Sequence, residues 1–142
     1  MLKRILFLAV AACFVLAVGF ADQSNGKVVI QVNKTNPTDG KQMFTSYCAP
    51  CHGVNGRGQG PAASALKQPP TDLTELAKAN HGKYPDTHVI SVMRFGTEVS
   101  AHGSADMPVW GQIFGKMSKT NPQETELRTS NLSRYLETLQ VK

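Results

Sequence analysis

Cys48-Ala49-Pro50-Cys51-His52 is the stretch whose reading decides the fold. Two thiols three residues apart lie on one face of a helical turn, and a histidine follows at once. The order C-x-x-C-H is the attachment signal of a c-type haem. Both thiols can add to the vinyl groups of one porphyrin, while His52 can point a ring nitrogen at the iron from the proximal side. One covalent haem c is therefore the expected cofactor, with thioethers at Cys48 and Cys51 and His52 as proximal ligand. Two competing uses of these residues are weaker. A thioredoxin-like redox pair needs a βαβ setting, and no parallel-strand pattern surrounds the motif. A zinc site needs a fourth ligand, and no second C-x-x-C or H-x₃-H supplies one.

Upstream of the motif, Thr38 or Asp39 can cap a helix that begins near Gly40, and Met43, Phe44 and Tyr47 recur at helical spacing up to Cys48. Gly40 and Phe44 share a face, and the missing side chain at Gly40 would let another helix come close. A partner stands at the far end of the chain. Asn121-Pro122-Gln123-Glu124 offers a cap, a proline at the first helical position and an acid at the third. Leu127, Leu132, Tyr135, Leu136 and Leu139 then mark the buried face of a helix running to about Gln140. Tyr135 and Leu136 are the expected partners of Gly40 and Phe44, so the two terminal helices should cross.

Gly53 to Pro61 holds too many glycines for helix or strand and must be a loop. It lacks the spacing of a phosphate-binding loop. Its glycines would let backbone run close to the porphyrin edge, and a carbonyl here could accept the other ring N–H of His52. Arg57 could pair with a haem propionate or stand as a solvated cation. Pro69 to Thr74 reads as a rigid turn and Leu73 to Ala79 as a short helix. His81 follows in a loop. Asp86 can cap a helix through Phe95 that Gly96 stops, with His88 in its first turn and Met93 facing the core. Thr97 to Pro108 has no regular period and contains His102 and Met107. A methionine before proline is held extended and can be presented rather than buried. Trp110 suits a cofactor wall or a small core.

The chain has 142 residues, 41% hydrophobic and 18% charged, which fits a single small domain. Residues 1–21 stand apart. Lys3 and Arg4 precede an apolar stretch from Ile5 to Val18, and Gly19-Phe20-Ala21 offers small residues where a signal peptidase cuts, so cleavage after Ala21 is expected. An uncleaved anchor over Ile5 to Ala21 is one alternative. A lipid-modified Cys13 in Val10-Ala11-Ala12-Cys13 is another. Cleavage leaves both remaining cysteines in the haem motif and no structural disulfide, and it lowers the formal charge from +5 to +3. That balance, with no basic run of interleaved aromatics, speaks against nucleic acid. Asp22 to Asn36 reads as an extended, loosely held arm whose role is left open, its alternation through Val28, Ile30 and Val32 allowing at most a short strand. Residues 37–142 are the domain.

Over Pro37 to Gln140 the chain resembles the class I c-type cytochromes. The matching parts are Gly40 and Phe44, Cys48 to Gly53, Gly60-Pro61, Met107-Pro108-Val109-Trp110-Gly111, and Tyr135 to Leu139. The resemblance implies an all-α fold of several helices and loops wrapped round one haem. It also implies Met107 as distal ligand to the iron and the Pro61 carbonyl as the group that orients His52. A thioether is soft and neutral and raises the potential, whereas a second imidazole would lower it. His102 is the main rival to Met107, with Met93, Met117, His81 and His88 behind it.

The function implied is a one-electron carrier, not an enzyme, working in the periplasm or otherwise outside the cytoplasm. It would be a monomer without membrane insertion, docking transiently with redox proteins at an exposed haem edge. Other readings are a haem enzyme or gas sensor with a labile sixth ligand, for which His102 and Arg94 are isolated candidates, or the haem subunit of a larger dehydrogenase or oxidase.

Overall fold

A carboxylate opens the first helix: Asp39 Oδ1 accepts the Gln42 amide at 2.8 Å, supplying one of the partners that a helix start lacks. The computed structural model describes residues 32–96, 107–119 and 121–141, and these are helical with no strand. α1 (Gly40–Met43), a π segment (Phe44–Cys48) and α2 (Ala49–His52) form one helical run that ends on the haem motif. The π segment is a local widening in which the Ala49 N–H reaches back five residues to the Phe44 carbonyl. A single 3₁₀ turn (Ala63–Ala65) and the short α3 (Leu76–Ala79) follow, then α4 (Asp86–Phe95), α5 (Trp110–Met117) and α6 (Gln123–Thr138).

The terminal helices meet as their small and aromatic residues require. A Cβ at Gly40 would run into the Asn131 carbonyl oxygen and lie 2.8 Å from the Tyr135 Cβ. One turn on, the Phe44 and Tyr135 rings pack at 5.3 Å between centroids. Beneath this crossing Tyr47 stacks on Trp110 at 5.3 Å, and Phe114 closes the group at 5.6 Å from Tyr47 and 5.7 Å from Trp110. Burying each such ring contributes about 1.5–3 kcal/mol. Helices as short as α1 and α2 would not stand alone, so this layer holds them.

α4 ends at Gly96, whose φ of 80° and N–H bond to the Val92 carbonyl at 2.9 Å bear out the expected stop. Its start differs. Asp86 is the first helical residue rather than the cap, and its Oδ1 accepts the Ser133 hydroxyl at 2.7 Å from α6. Tyr84, just before α4, donates to the Ser133 carbonyl at 3.0 Å. The short α3 begins at Leu76, later than expected, because Asp72 Oδ1 takes the Thr74 amide at 2.8 Å and holds residues 72–74 in a turn. α5 was not legible as an element, although Trp110, Ile113, Phe114 and Met117 have helical spacing. It packs on α4, with Gly111 so close that a Cβ there would lie 2.8 Å from the Arg94 Cα.

Along α6 the buried residues are Arg128, Thr129, Leu132, Ser133 and Leu136, whereas Leu127 is 43% exposed. The expectation that Leu127 faces the core is corrected by Arg128. Its guanidinium is wholly buried and donates to Glu124 Oε1 at 2.6 and 2.9 Å, to Thr35 Oγ1 at 3.0 Å and to the Thr35 carbonyl at 2.9 Å. The Thr35 hydroxyl in turn donates to the Tyr47 hydroxyl at 2.9 Å, which donates to the Asn33 carbonyl. The arm is therefore not loose where it is described: Thr35 is buried, and Asn33 and Asn36 are tied to the domain by hydrogen bonds to Tyr47 and Gln42. The segment 1–31, with the expected signal, Cys13 and most of the arm, lies outside the described residues.

Candidate functional site

Cys48, Cys51 and His52 occupy one helical turn, with Cys48 closing the π segment and the other two in α2. Both thiols are free. Cys48 is buried, and its pKa is pushed up to about 12 by that burial and then by the neighbouring Cys51. Cys51 is half-buried and raised in the same direction for the same first reason. Both are neutral thiols at neutral pH.

His52 Nδ1 lies 2.9 Å from the Thr71 carbonyl oxygen. A carbonyl can only accept, so Nδ1 carries the proton and Nε2 keeps its lone pair. Burial lowers the pKa of the ring, against a smaller upward pull from Thr71, and so favours the neutral imidazole. Neutral, with one nitrogen tied down and the other free to coordinate, is the condition of a metal-ligating histidine. The turn thus fits a haem: two thiols to hold it and an oriented donor beside them. Among the described residues no group of three or more His, Cys, Asp or Glu side chains could hold a metal ion by itself.

The resemblance assigned the orientation of His52 to the Pro61 carbonyl, and the structure gives that part to Thr71. The loop around Pro61 is committed elsewhere. Gly58 N–H donates to the His52 carbonyl at 2.7 Å, Gly60 N–H to that of Cys51 at 2.9 Å and Ala62 N–H to that of Pro50 at 2.9 Å. Residues 58–62 therefore line the backbone of the motif turn instead of its imidazole. Gly60 is required by this approach, because a Cβ there would strike the Pro50 carbonyl oxygen and lie 2.6 Å from both the Ala49 oxygen and the Cys51 carbonyl carbon. The glycine content thus answers first to the loop's contact with the motif turn. Thr71 is delivered by a second loop, anchored where Leu73 N–H donates to the Gly56 carbonyl at 2.7 Å. No residue type marks a backbone acceptor in advance; the only local signal was the Asp72-Leu73-Thr74 turn.

Arg57 is exposed, and its charge contributes to lowering the Asp72 pKa after the hydrogen bonds from Thr74. Trp110 is buried against Tyr47 and Phe114. Met107 is half-buried at the edge of the core, three residues before that anchored ring. The other methionines differ. Met43 is buried with its sulfur 3.8 Å from Arg128 Nη1, Met93 is buried in the core, and Met117 is half-buried against it. His81 and His88 are exposed. His102 lies in 97–106, outside the described residues.

No helix among the described residues is long and apolar enough to cross a membrane. Comparison with curated proteins and with solved structures gave no match. The family model for cytochrome c matches residues 37–140, which run from the Pro37 before α1 to the Gln140 after α6 and include the whole C-x-x-C-H turn. With the all-helical fold and the crossed terminal helices, this match shows that the chain belongs to the cytochrome c family.

Proposed function

We propose that this protein is a monohaem c-type cytochrome carrying single electrons between redox proteins outside the cytoplasm. The observation that carries the reading is the His52 imidazole, held by Thr71 with Nδ1 protonated and Nε2 free, on the same turn as two free thiols. Cys48 and Cys51 would tether the haem and His52 would hold its iron, and the haem when bound supplies a one-electron couple. The protein's part is to fix the ring, keep it neutral and hold the turn half-buried.

Met107 is assigned as the sixth ligand. Support comes from its half-buried place against the core, three residues before Trp110, from the extended backbone that Pro108 imposes, and from the engagement of the Met43 sulfur with Arg128. A site with both positions filled suits electron carriage, since little rearranges when the charge changes. The net positive charge left after removal of residues 1–21 suits a partner with an acidic docking face, met briefly and as a monomer. The amino-terminal signal directs the chain to the periplasm.

Visible spectra of the purified protein, oxidised, reduced and reduced under carbon monoxide, test this reading. The expected result is a low-spin c-type spectrum with a weak ferric band from sulfur on iron and no response to carbon monoxide. Met107→Ala removes the sulfur band. A high-spin wild type that binds carbon monoxide readily would overturn the carrier assignment, and a sulfur band that survives Met107→Ala would overturn the ligand assignment.

A further inference from the structure

We infer that Gln140, near the end of the chain, is a positioning residue for His52: its amide holds the 71–77 segment that presents the Thr71 carbonyl to the imidazole. The inference rests on the proposed role of His52 as ligand to the haem iron.

The Gln140 amide is used on three sides. Nε2 donates to the Leu73 carbonyl at 2.7 Å and to the Leu136 carbonyl at 2.8 Å, and Oε1 accepts the Ala77 N–H at 2.8 Å. Both donors and one acceptor position are thereby engaged. Capping α6 does not account for this arrangement. The Leu136 carbonyl already accepts the Leu139 N–H at 3.1 Å, and the other two bonds reach back 67 and 63 residues in sequence.

What those bonds hold is the loop behind His52. Leu73 is gripped from both sides, its carbonyl by Gln140 and its N–H by the Gly56 carbonyl at 2.7 Å. Thr74 bonds Asp72 Oδ1 through its amide at 2.8 Å and its hydroxyl at 2.7 Å, and its carbonyl accepts the Val141 N–H at 2.9 Å. Thr71 is the residue just before this clamped turn, and its carbonyl is the acceptor for His52 Nδ1. A carbonyl held in line with Nδ1–H strengthens the imidazole as a donor. The stronger donor favours ferric iron. Slack in the 71–77 segment would weaken that bond and favour the ferrous form.

The test uses the full mature holoprotein. Gln140→Leu removes all three bonds at similar side-chain size. At a fixed ambient potential its ferrous-to-ferric ratio should rise about threefold, a midpoint shift of about 28 mV at 59 mV per tenfold for one electron. In the reduced protein the His52 Nδ1–H should also exchange with solvent faster. Leu132→Val is the comparison, because it weakens the core within α6 and has no polar group to bond the 71–77 segment. It should lose stability while its potential and Nδ1–H exchange stay at wild-type values.

Equal potentials and equal exchange in Gln140→Leu and Leu132→Val would overturn the inference while leaving the proposed function standing. A wild type without a low-spin spectrum would remove both. Should Gln140→Leu fail to accumulate, the wild type alone decides. The His52 Nδ1–H and the Ala77 amide should then open with one free energy, as parts of a single unit; opening constants more than tenfold apart would refute the link.

Discussion

Gly60→Ala would put a single methyl group against the back of the motif turn. The glycine's φ lies outside the left-handed region, so alanine can adopt the local backbone and the cost is one of space. All the nearest atoms are backbone: the Pro50 and Ala49 carbonyl oxygens and the Cys51 carbonyl carbon. No side chain can swing away, so the loop must lift off the turn. Lifting it sacrifices the bonds from Gly60 to Cys51 and from Ala62 to Pro50, worth about 1 kcal/mol each. Residual crowding adds about 1–3 kcal/mol. The stiffer unfolded chain returns about 0.4–1 kcal/mol. A net loss of about 2–4 kcal/mol follows, or roughly 10–20 °C in Tm for a domain of this size.

Gly82→Ala is the matched comparison. Gly82 has φ of 83° but open space around it, so alanine there meets only the left-handed backbone penalty of about 1–2 kcal/mol, partly offset through the unfolded state. Urea unfolding and thermal melts of the two variants should therefore rank Gly60→Ala well below Gly82→Ala. Melting of Gly60→Ala within 2–3 °C (~0.5 kcal/mol) of the wild type would refute the argument that close backbone approach fixes this glycine.

Two further outcomes follow from the Arg128 cluster. The Arg128 guanidinium holds the Glu124 carboxyl below the usual glutamate range, so the folded protein takes up that proton less readily than the unfolded chain. This contribution is complete above the unfolded value and is lost as pH falls through the depressed folded value. Glu124→Gln should flatten the acid limb of the stability curve and cost about 2 kcal/mol at pH 7; an unchanged acid limb would count against the pairing. Starting the chain at Pro37 in place of Asp22 removes Asn33 and Thr35, the acceptors of Tyr47 and Arg128. The shortened protein should lose about 2–4 kcal/mol by urea midpoint, and a loss under about 0.5 kcal/mol would show that these acceptors are replaced by water.

What could be read from the chain followed rules of short range. The haem turn, the Asp39 cap and the Gly96 stop each rest on spacing within one or two helical turns, and Gly40 could be matched with distant Tyr135 because the facing stripe of each helix is set by its own local spacing. Failures arose where a partner came from far away. Leu127 satisfied the hydrophobic period, but Arg128 went inside because Thr35, 93 residues earlier, supplied its acceptors. Pro61 lay near the histidine in sequence, yet the second loop brought Thr71 to the ring. The π segment has no compositional mark in Phe44 to Cys48, and α5 is only eight residues long and starts after Val109 without a capping side chain, so no start signal in the sequence announces it.

The closing contacts of this domain join its two ends. Arg128 reaches Thr35 and Met43, 93 and 85 residues apart in sequence, and Asn131 Nδ2 donates to the Pro37 carbonyl across 94. A growing or threading chain cannot make any of them until α6 has emerged. Loop closure over such spans is entropically costly and slow beside local helix formation. Until then the Gly40 groove lacks its covering helix, and Arg128, wholly buried in the finished fold, has neither Thr35 nor Met43 beside it. The topology therefore leaves completion of the core to the last helix: the amino-terminal segment around Thr35 and Pro37 is fixed only when α6 docks.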